Sequence, residues 1–281
     1  MAVSRHLPVA LAIALTACGG SGSSLPSSVQ NPGGVSAPTT ARWIPTVGTT
    51  YQIQYDGTLD LKYPAQVFDL DMFDTLPRVV ARLHRMGKRV MCYIDVGTWE
   101  DWRPDAKEFP KSVLGRKDGR WAGERWLDIR ATSILWPIMG ARYDLCKKKG
   151  FDGVDPDNLD GYANNTGFPL TYAEQLTYDE WAAKAAHDRG LTVDQKGDNG
   201  QVKDLVPFFD FAVVEQCYAQ GWCHQFDVYS NNNRLVVDVE YYHEKQLFLE
   251  KNCPEAARNH DFAMLKKLEL TAWIVTCPSK N

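Results

Sequence analysis

Gly150-Phe-Asp-Gly-Val-Asp-Pro-Asp-Asn158 decides the reading of this chain. Gly150 closes a helical apolar pattern, where a left-handed cap is expected. Residues 153–157 then have strand length, and side chains on a strand alternate faces. Asp155 and Asp157 therefore share one face, and Val154 and Pro156 the other. Working outward, the same helix–glycine–strand step recurs at Gly87 and Gly190. Strands are predicted over 51–55, 67–71, 89–95, 153–157, 192–196, 211–217, 235–241 and 272–276, with helices notably over 76–86, 134–149, 172–188 and 254–268. The link from the first strand to the second is too short for a full helical unit. Eight strands alternating with helices over about 240 residues predict a single-domain α/β fold, the closed (β/α)8 TIM barrel. An open doubly wound sheet would want a Gly-x-Gly-x-x-Gly turn, and none is present.

The domain is expected over 42–281. Ahead of it, Arg5 and His6 precede an apolar run from Leu7 to Leu15, followed by Leu15-Thr-Ala-Cys18. That pattern predicts a lipoprotein signal over 1–17, with a lipid anchor on Cys18. The run is short of the roughly 20 residues that span a bilayer. Residues 18–41 are rich in Gly, Ser, Pro and Thr and are expected to form a flexible tether. The expected setting is a bacterial cell envelope, outer membrane or cell surface, with a membrane link through the lipid only.

A net charge of −4 without a basic tract argues against nucleic acid as a partner. Beyond Cys18 there are six cysteines, which in an exported chain suggest three disulfides among 15 pairings. Neighbourhood favours Cys217–Cys223 across a short loop and Cys92 on a strand with Cys146 on a helix, leaving Cys253–Cys277. No Cys-x-x-Cys or paired histidines suggest a metal, and there is no serine nucleophile elbow. Neither a metal nor a cofactor is expected.

In such a barrel the site lies at the C-terminal ends of the strands. Those ends carry Asp95, Asp155, Asp157, Asp194, Lys196, Glu215, Asp238 and Glu240. Phe211, Val213 and Glu215 share one face, as do Val236, Asp238 and Glu240. A lone strand-end acid more often caps the next helix. Five acid-bearing strand ends at one mouth do not fit that reading, because a buried carboxylate costs several kcal/mol unless paired. Glycosidic cleavage uses two carboxyl groups, one protonated and one ionised, and crowding separates their pKa values. The connection from Gly97 to Thr132 carries four tryptophans and is too long for a plain loop.

Gly150-Phe-Asp-Gly-Val-Asp-Pro-Asp-Asn-Leu-Asp-Gly-Tyr162 and Val214-Glu-Gln-Cys217 resemble signatures of glycoside hydrolase family 114, the endo-α-1,4-polygalactosaminidases. Gln52-Ile-Gln-Tyr55, Val67-Phe-Asp-Leu-Asp71, Cys92-Tyr-Ile-Asp-Val-Gly97, Glu100-Asp-Trp-Arg103, Glu124-Arg-Trp-Leu-Asp-Ile-Arg130 and Glu240-Tyr241 extend the match. The resemblance implies a TIM barrel that cleaves α-1,4-linked galactosamine or N-acetylgalactosamine polymers from within. It makes Asp157 the nucleophile and Glu215 the acid/base, with retention of configuration.

By the same resemblance Asp71, Tyr93, Asp95, Glu124, Asp128, Asp155, Asp160, Tyr162, Lys196 and Glu240 bind sugar. Asp95, Asp155 and Glu240 are candidates to pair with the substrate ammonium. Trp99, Trp102, Trp126 and Tyr218 are candidates to stack on sugar rings, and His224 and His243 are further candidate contacts. Asp95 departs from the small residue expected after Cys-Tyr-Ile. Gln195-Lys-Gly-Asp-Asn199 departs from a plainer Lys-Asn pattern. The expected partner is an extracellular amino-sugar polysaccharide, and the protein is expected to be a monomer. Two rivals stand beside this reading: a lipid-anchored polysaccharide-binding protein without turnover, and a hydrolase of a different amino-sugar glycan.

Overall fold

A computed structural model of the chain describes residues 42–119, 121–241 and 244–278. The leader, Cys18, the tether and His243 lie outside these residues. Eight parallel strands follow one another around a curled sheet: β1 Tyr51–Ile53, β2 Val67–Asp71, β3 Arg89–Asp95, β4 Gly153–Asp157, β5 Thr192–Lys196, β6 Phe211–Glu215, β7 Val236–Glu240 and β8 Phe262–Leu265. A ninth strand, Val275–Thr276, pairs antiparallel with β8. The helices α1 Pro77–Arg85, α2 Thr132–Lys149, α3 Tyr172–His187 and α4 Cys253–Asn259 connect them, with shorter turns elsewhere. No helix is described between β1 and β2, as their short link requires.

Alternation along the strands sorts the apolar residues into two layers. Tyr51, Ile53, Met91, Phe211, Val213 and Met264 fill the inside of the curl. Phe68, Val90, Cys92, Val154 and Val214 pack outward with the helices. Each such fully buried side chain contributes roughly 1.5–3 kcal/mol. Between β8 and β1 the described contacts run through side chains and the following loop. Lys266 Nζ donates to Gln52 Oε1 at 3.0 Å, Gln52 Nε2 to the Ala272 carbonyl at 3.2 Å, and Tyr55 N to the Leu270 carbonyl at 2.9 Å.

The eighth strand corrects the expectation of 272–276. The helix predicted over 254–268 stops at Asn259, because His260 turns left-handed at φ 63°. Phe262-Ala-Met-Leu265 then runs as the strand. Four apolar residues fit either period, and length alone could not decide. Strand β6 also ends at Glu215, two residues before the predicted end, because Gln216 turns left-handed.

Gly150 takes the expected left-handed cap at φ 94°. The pairing of β4 with β5 is confined to Gly153–Val154 against Thr192–Val193. Two residues on, Pro156 has no N–H to continue it. The 97–131 excursion folds into a three-stranded antiparallel sheet of Thr98–Glu100, Leu114–Lys117 and Glu124–Leu127, the last in the middle. Arg103 ties it to β2, bonding Glu100 and Asp71 at 2.6 Å each. Cys92–Cys146, Cys217–Cys223 and Cys253–Cys277 are the disulfides formed.

Candidate active site

The inner faces of the strand ends converge on one ammonium. Lys196 Nζ lies 3.4 Å from Asp157 Oδ1, 3.5 Å from Glu215 Oε1 and 3.7 Å from Asp155 Oδ2. Both outer acids are within 3.5 Å of the same nitrogen. The two oxygens are therefore less than about 7 Å apart, close enough for both carboxyl groups to flank one glycosidic bond. Lys196 is buried, whereas the Asp157 and Glu215 side chains are 27% and 41% exposed. These two acids open to solvent, and Asp155 beneath them does not.

Tyrosines order the group. Tyr93 Oη donates to Asp157 Oδ2 at 3.0 Å, Tyr55 Oη to Asp155 Oδ2 at 2.9 Å and Tyr241 Oη to Glu215 Oε1 at 3.2 Å. The Tyr55 and Tyr93 rings lie 4.3 Å apart, and Lys196 sits 5.6 Å from the Tyr93 ring centre. Asn158 N also donates to Asp157 Oδ1 at 2.8 Å.

The environment separates the two carboxyls. Burial alone would raise the Asp157 pKa. The Lys196 charge and the hydrogen bonds from Asn158 and Tyr93 outweigh it and hold the group below its ordinary value. Burial raises Glu215; Lys196 opposes this, while Asp157 and Asp155 add to the rise. Burial likewise opposes the Lys196 charge, but Asp155, Asp157 and Glu215 keep it protonated. One acid is thus biased to the anion and its neighbour to the acid form, as general acid–base work requires. One step deeper, burial and then Asp155 push the Asp69 and Asp194 carboxyls well above their ordinary value.

The family model of glycoside-hydrolase family GH114 matches residues 34–281. The chain belongs to that family. It is therefore a glycoside hydrolase. Its fold is similar to that of Aspergillus fumigatus Ega3, solved in complex with galactosamine. Identity is 33% over 85% of this chain and 99% of that one, with a TM-score of 0.80. The glycoside hydrolase domain of PelA from Pseudomonas aeruginosa shares the fold at 13% identity, over 82% of this chain and 99% of that one, with a TM-score of 0.66. No curated protein matches.

A second polar group in this GH114 barrel joins the excursion to the site. Asp95 accepts from Thr98 N at 2.7 Å and Asn158 Nδ2 at 2.9 Å, and the Thr98 hydroxyl bonds both Asp95 and Glu124. Burial first, then the Asp95 charge, pushes Glu124 up to about 9. Asp71 accepts from Phe73 N, Asp74 N and Arg103. Asp95, Glu124 and Asp71 are buried and committed to protein donors. On the rim, the turn after β4 carries Asp160 and Tyr162, whose hydroxyl donates to Asp198 at 3.1 Å.

Of the residues expected to bind sugar, Glu240, Tyr218 and Asp128 have their described partners outside both of these groups. Glu240 and Asp238 do share a face, but it is the outer one, since Val237 and Val239 occupy the inner layer. Glu240 accepts there from Ala219 N at 2.9 Å. Tyr218 packs in the outer layer with its hydroxyl on Asp261 at 2.6 Å. Asp128 is paired with Arg130 at 2.7 Å. Trp126 is buried, Trp99 donates to the Ala106 carbonyl, and Trp102 and His224 are exposed.

Tyr55, Tyr241 and Asp69 were not singled out as site residues. Parity could have flagged Asp69, which stands two residues before Asp71 on one strand face; Tyr241 has the parity opposite to Asp238 and Glu240, so only the packing of its strand brings it inward.

Proposed function

We propose that the chain is an endo-acting hydrolase of α-1,4-linked galactosamine and N-acetylgalactosamine polymers, working with retention. The observation that carries this reading is the close approach of Asp157 and Glu215 to one buried ammonium. The galactosamine complex of the 33% identical Ega3 supports the sugar class.

Asp157, kept anionic, attacks the anomeric carbon as Glu215 gives its proton to the leaving oxygen. The C–O bond to the leaving sugar breaks and a glycosyl–Asp157 ester forms. Glu215, now a carboxylate, takes a proton from water, whose oxygen displaces Asp157. Lys196 and Tyr93 disperse the Asp157 charge before attack and after release. Asp95, Asp155 and Glu240 are occupied by protein partners, so attraction of a cationic sugar rests on the field of the buried acids rather than on direct pairing. Export and anchoring through Cys18 complete the reading, and three disulfides fit an oxidising compartment.

The test is incubation of mature protein with defined galactosamine, N-acetylgalactosamine and mixed oligomers, read by mass spectrometry. Internal cleavage with the α-anomer appearing first by proton NMR is expected. A β-anomer overturns retention, and tight binding without new reducing ends overturns hydrolysis of this substrate class. Loss of lipid labelling in C18S checks the anchor.

A further inference from the structure

Glu215 stands at the end of β6, and the turn behind it is locally unfavourable. Gln216 takes a left-handed conformation at φ 56°, ψ 26°. For a residue with a Cβ this conformation is disfavoured and persists only where surrounding contacts over-determine it.

Strand β7 supplies those contacts. Val239 pairs with Glu215, and Gln216 N donates to the Val239 carbonyl at 2.9 Å. On the outer face, Asp238 Oδ1 accepts from Cys217 N at 3.1 Å and Glu240 Oε1 from Ala219 N at 2.9 Å. Both carboxyls are fully buried. On the inner face the next residue, Tyr241, places its hydroxyl on Glu215 Oε1. The Cys217–Cys223 disulfide closes the step from behind.

Two buried acids side by side are an expensive way to satisfy two N–H groups. An apolar outer face, like that of the neighbouring strands, would cost less unless the turn must be held in this one conformation. We propose that Asp238 and Glu240 are positioning residues, an acid clamp on the outer face of β7 that fixes the left-handed step at Gln216 and so aims the Glu215 carboxyl. The inference rests on the assignment of Glu215 as acid/base. Burial and then the Glu240 charge push the Asp238 carboxyl well up, and it lies within hydrogen-bond reach of Glu240.

The experiment compares D238A and E240A, which remove the acceptors, with D238N and E240Q, which keep a carbonyl in place. The wild type, E215Q and thermal melts serve as references. The expected result is a loss of kcat of roughly tenfold to hundredfold in the alanine variants, with KM within about twofold. D238N and E240Q should recover most of it, since an amide oxygen still accepts the N–H. A role in sugar contact would raise KM instead, and a purely structural role would lower the melting temperature while leaving kcat of the folded fraction intact; either overturns the clamp. Where E240A does not fold, E240D, shorter by one methylene, takes its place with the same expectation. An active E215Q rejects the site assignment and the clamp with it. An inactive E215Q beside alanine variants of wild-type kcat rejects the clamp alone.

Discussion

Lys196 Nζ stands 3.4 Å from Asp157 Oδ1, and that contact is the chief reason Asp157 stays ionised despite burial. The same ammonium reaches Glu215 at 3.5 Å, yet Glu215 is raised, because burial outweighs Lys196 and the two aspartates add to the rise. A single cation thus serves two acids of opposite task.

Replacing Lys196 by Met removes the charge and keeps the stem. The pKa of Asp157 then rises, so the acidic limb of kcat/KM moves to higher pH. That of Glu215 rises too, so the alkaline limb moves the same way. The bell shifts upward as a whole, with turnover at its maximum down on the order of 100-fold. A bell that stays in place, followed by reducing-end assay across pH, would contradict the assignment of Lys196.

Glu124 has a folded pKa of about 9, raised by burial and then by Asp95, against about 4.3 in an unfolded chain. The folded state holds the extra proton in that window, so stability falls as pH rises through it and is fully present below it. In E124Q there is no such proton to lose. The difference in melting temperature between E124Q and wild type should therefore grow in favour of the variant from pH 5 to about 9. A pH-independent difference would remove Glu124 as the source.

Gly97 has room for nothing larger. A Cβ there would lie 1.8 Å from the Asn158 carbonyl oxygen, and Val96 and Gly97 both donate to the Asp157 carbonyl. G97A must push Asn158 away, at about 1–3 kcal/mol or more, and Asp157 moves with it. Chemical denaturation should show the loss of stability, and kcat should fall in protein that remains folded. Unchanged kcat would mean that Asp157 is held independently of this contact.

A field from buried acids acts at a distance and is screened by salt. Hydrolysis of free-amine oligomers should weaken modestly between low salt and about 0.5 M, where the Debye length is a few ångström. Hydrolysis of fully acetylated oligomers should be weaker and indifferent to salt. Equal salt response for both, measured as kcat/KM, would remove the electrostatic account of specificity.

The amino-acid sequence alone determined the parallel order of strand and helix, the capping glycines and which residues share a strand face; it favoured one disulfide pairing of 15, and the folded chain fixed it. Asp155 with Asp157, and Glu215 with Phe211 and Val213, follow from an alternation that is a property of the backbone. The tertiary structure decided which of two such faces points inward. It turned Asp238 and Glu240 outward while bringing Lys196, Tyr55, Tyr93 and Tyr241 onto the two acids. It also placed β8 at Phe262–Leu265. The physical reason is that alternation is local, whereas the choice of inner face and the meeting of strand ends depend on how neighbouring strands pair and pack.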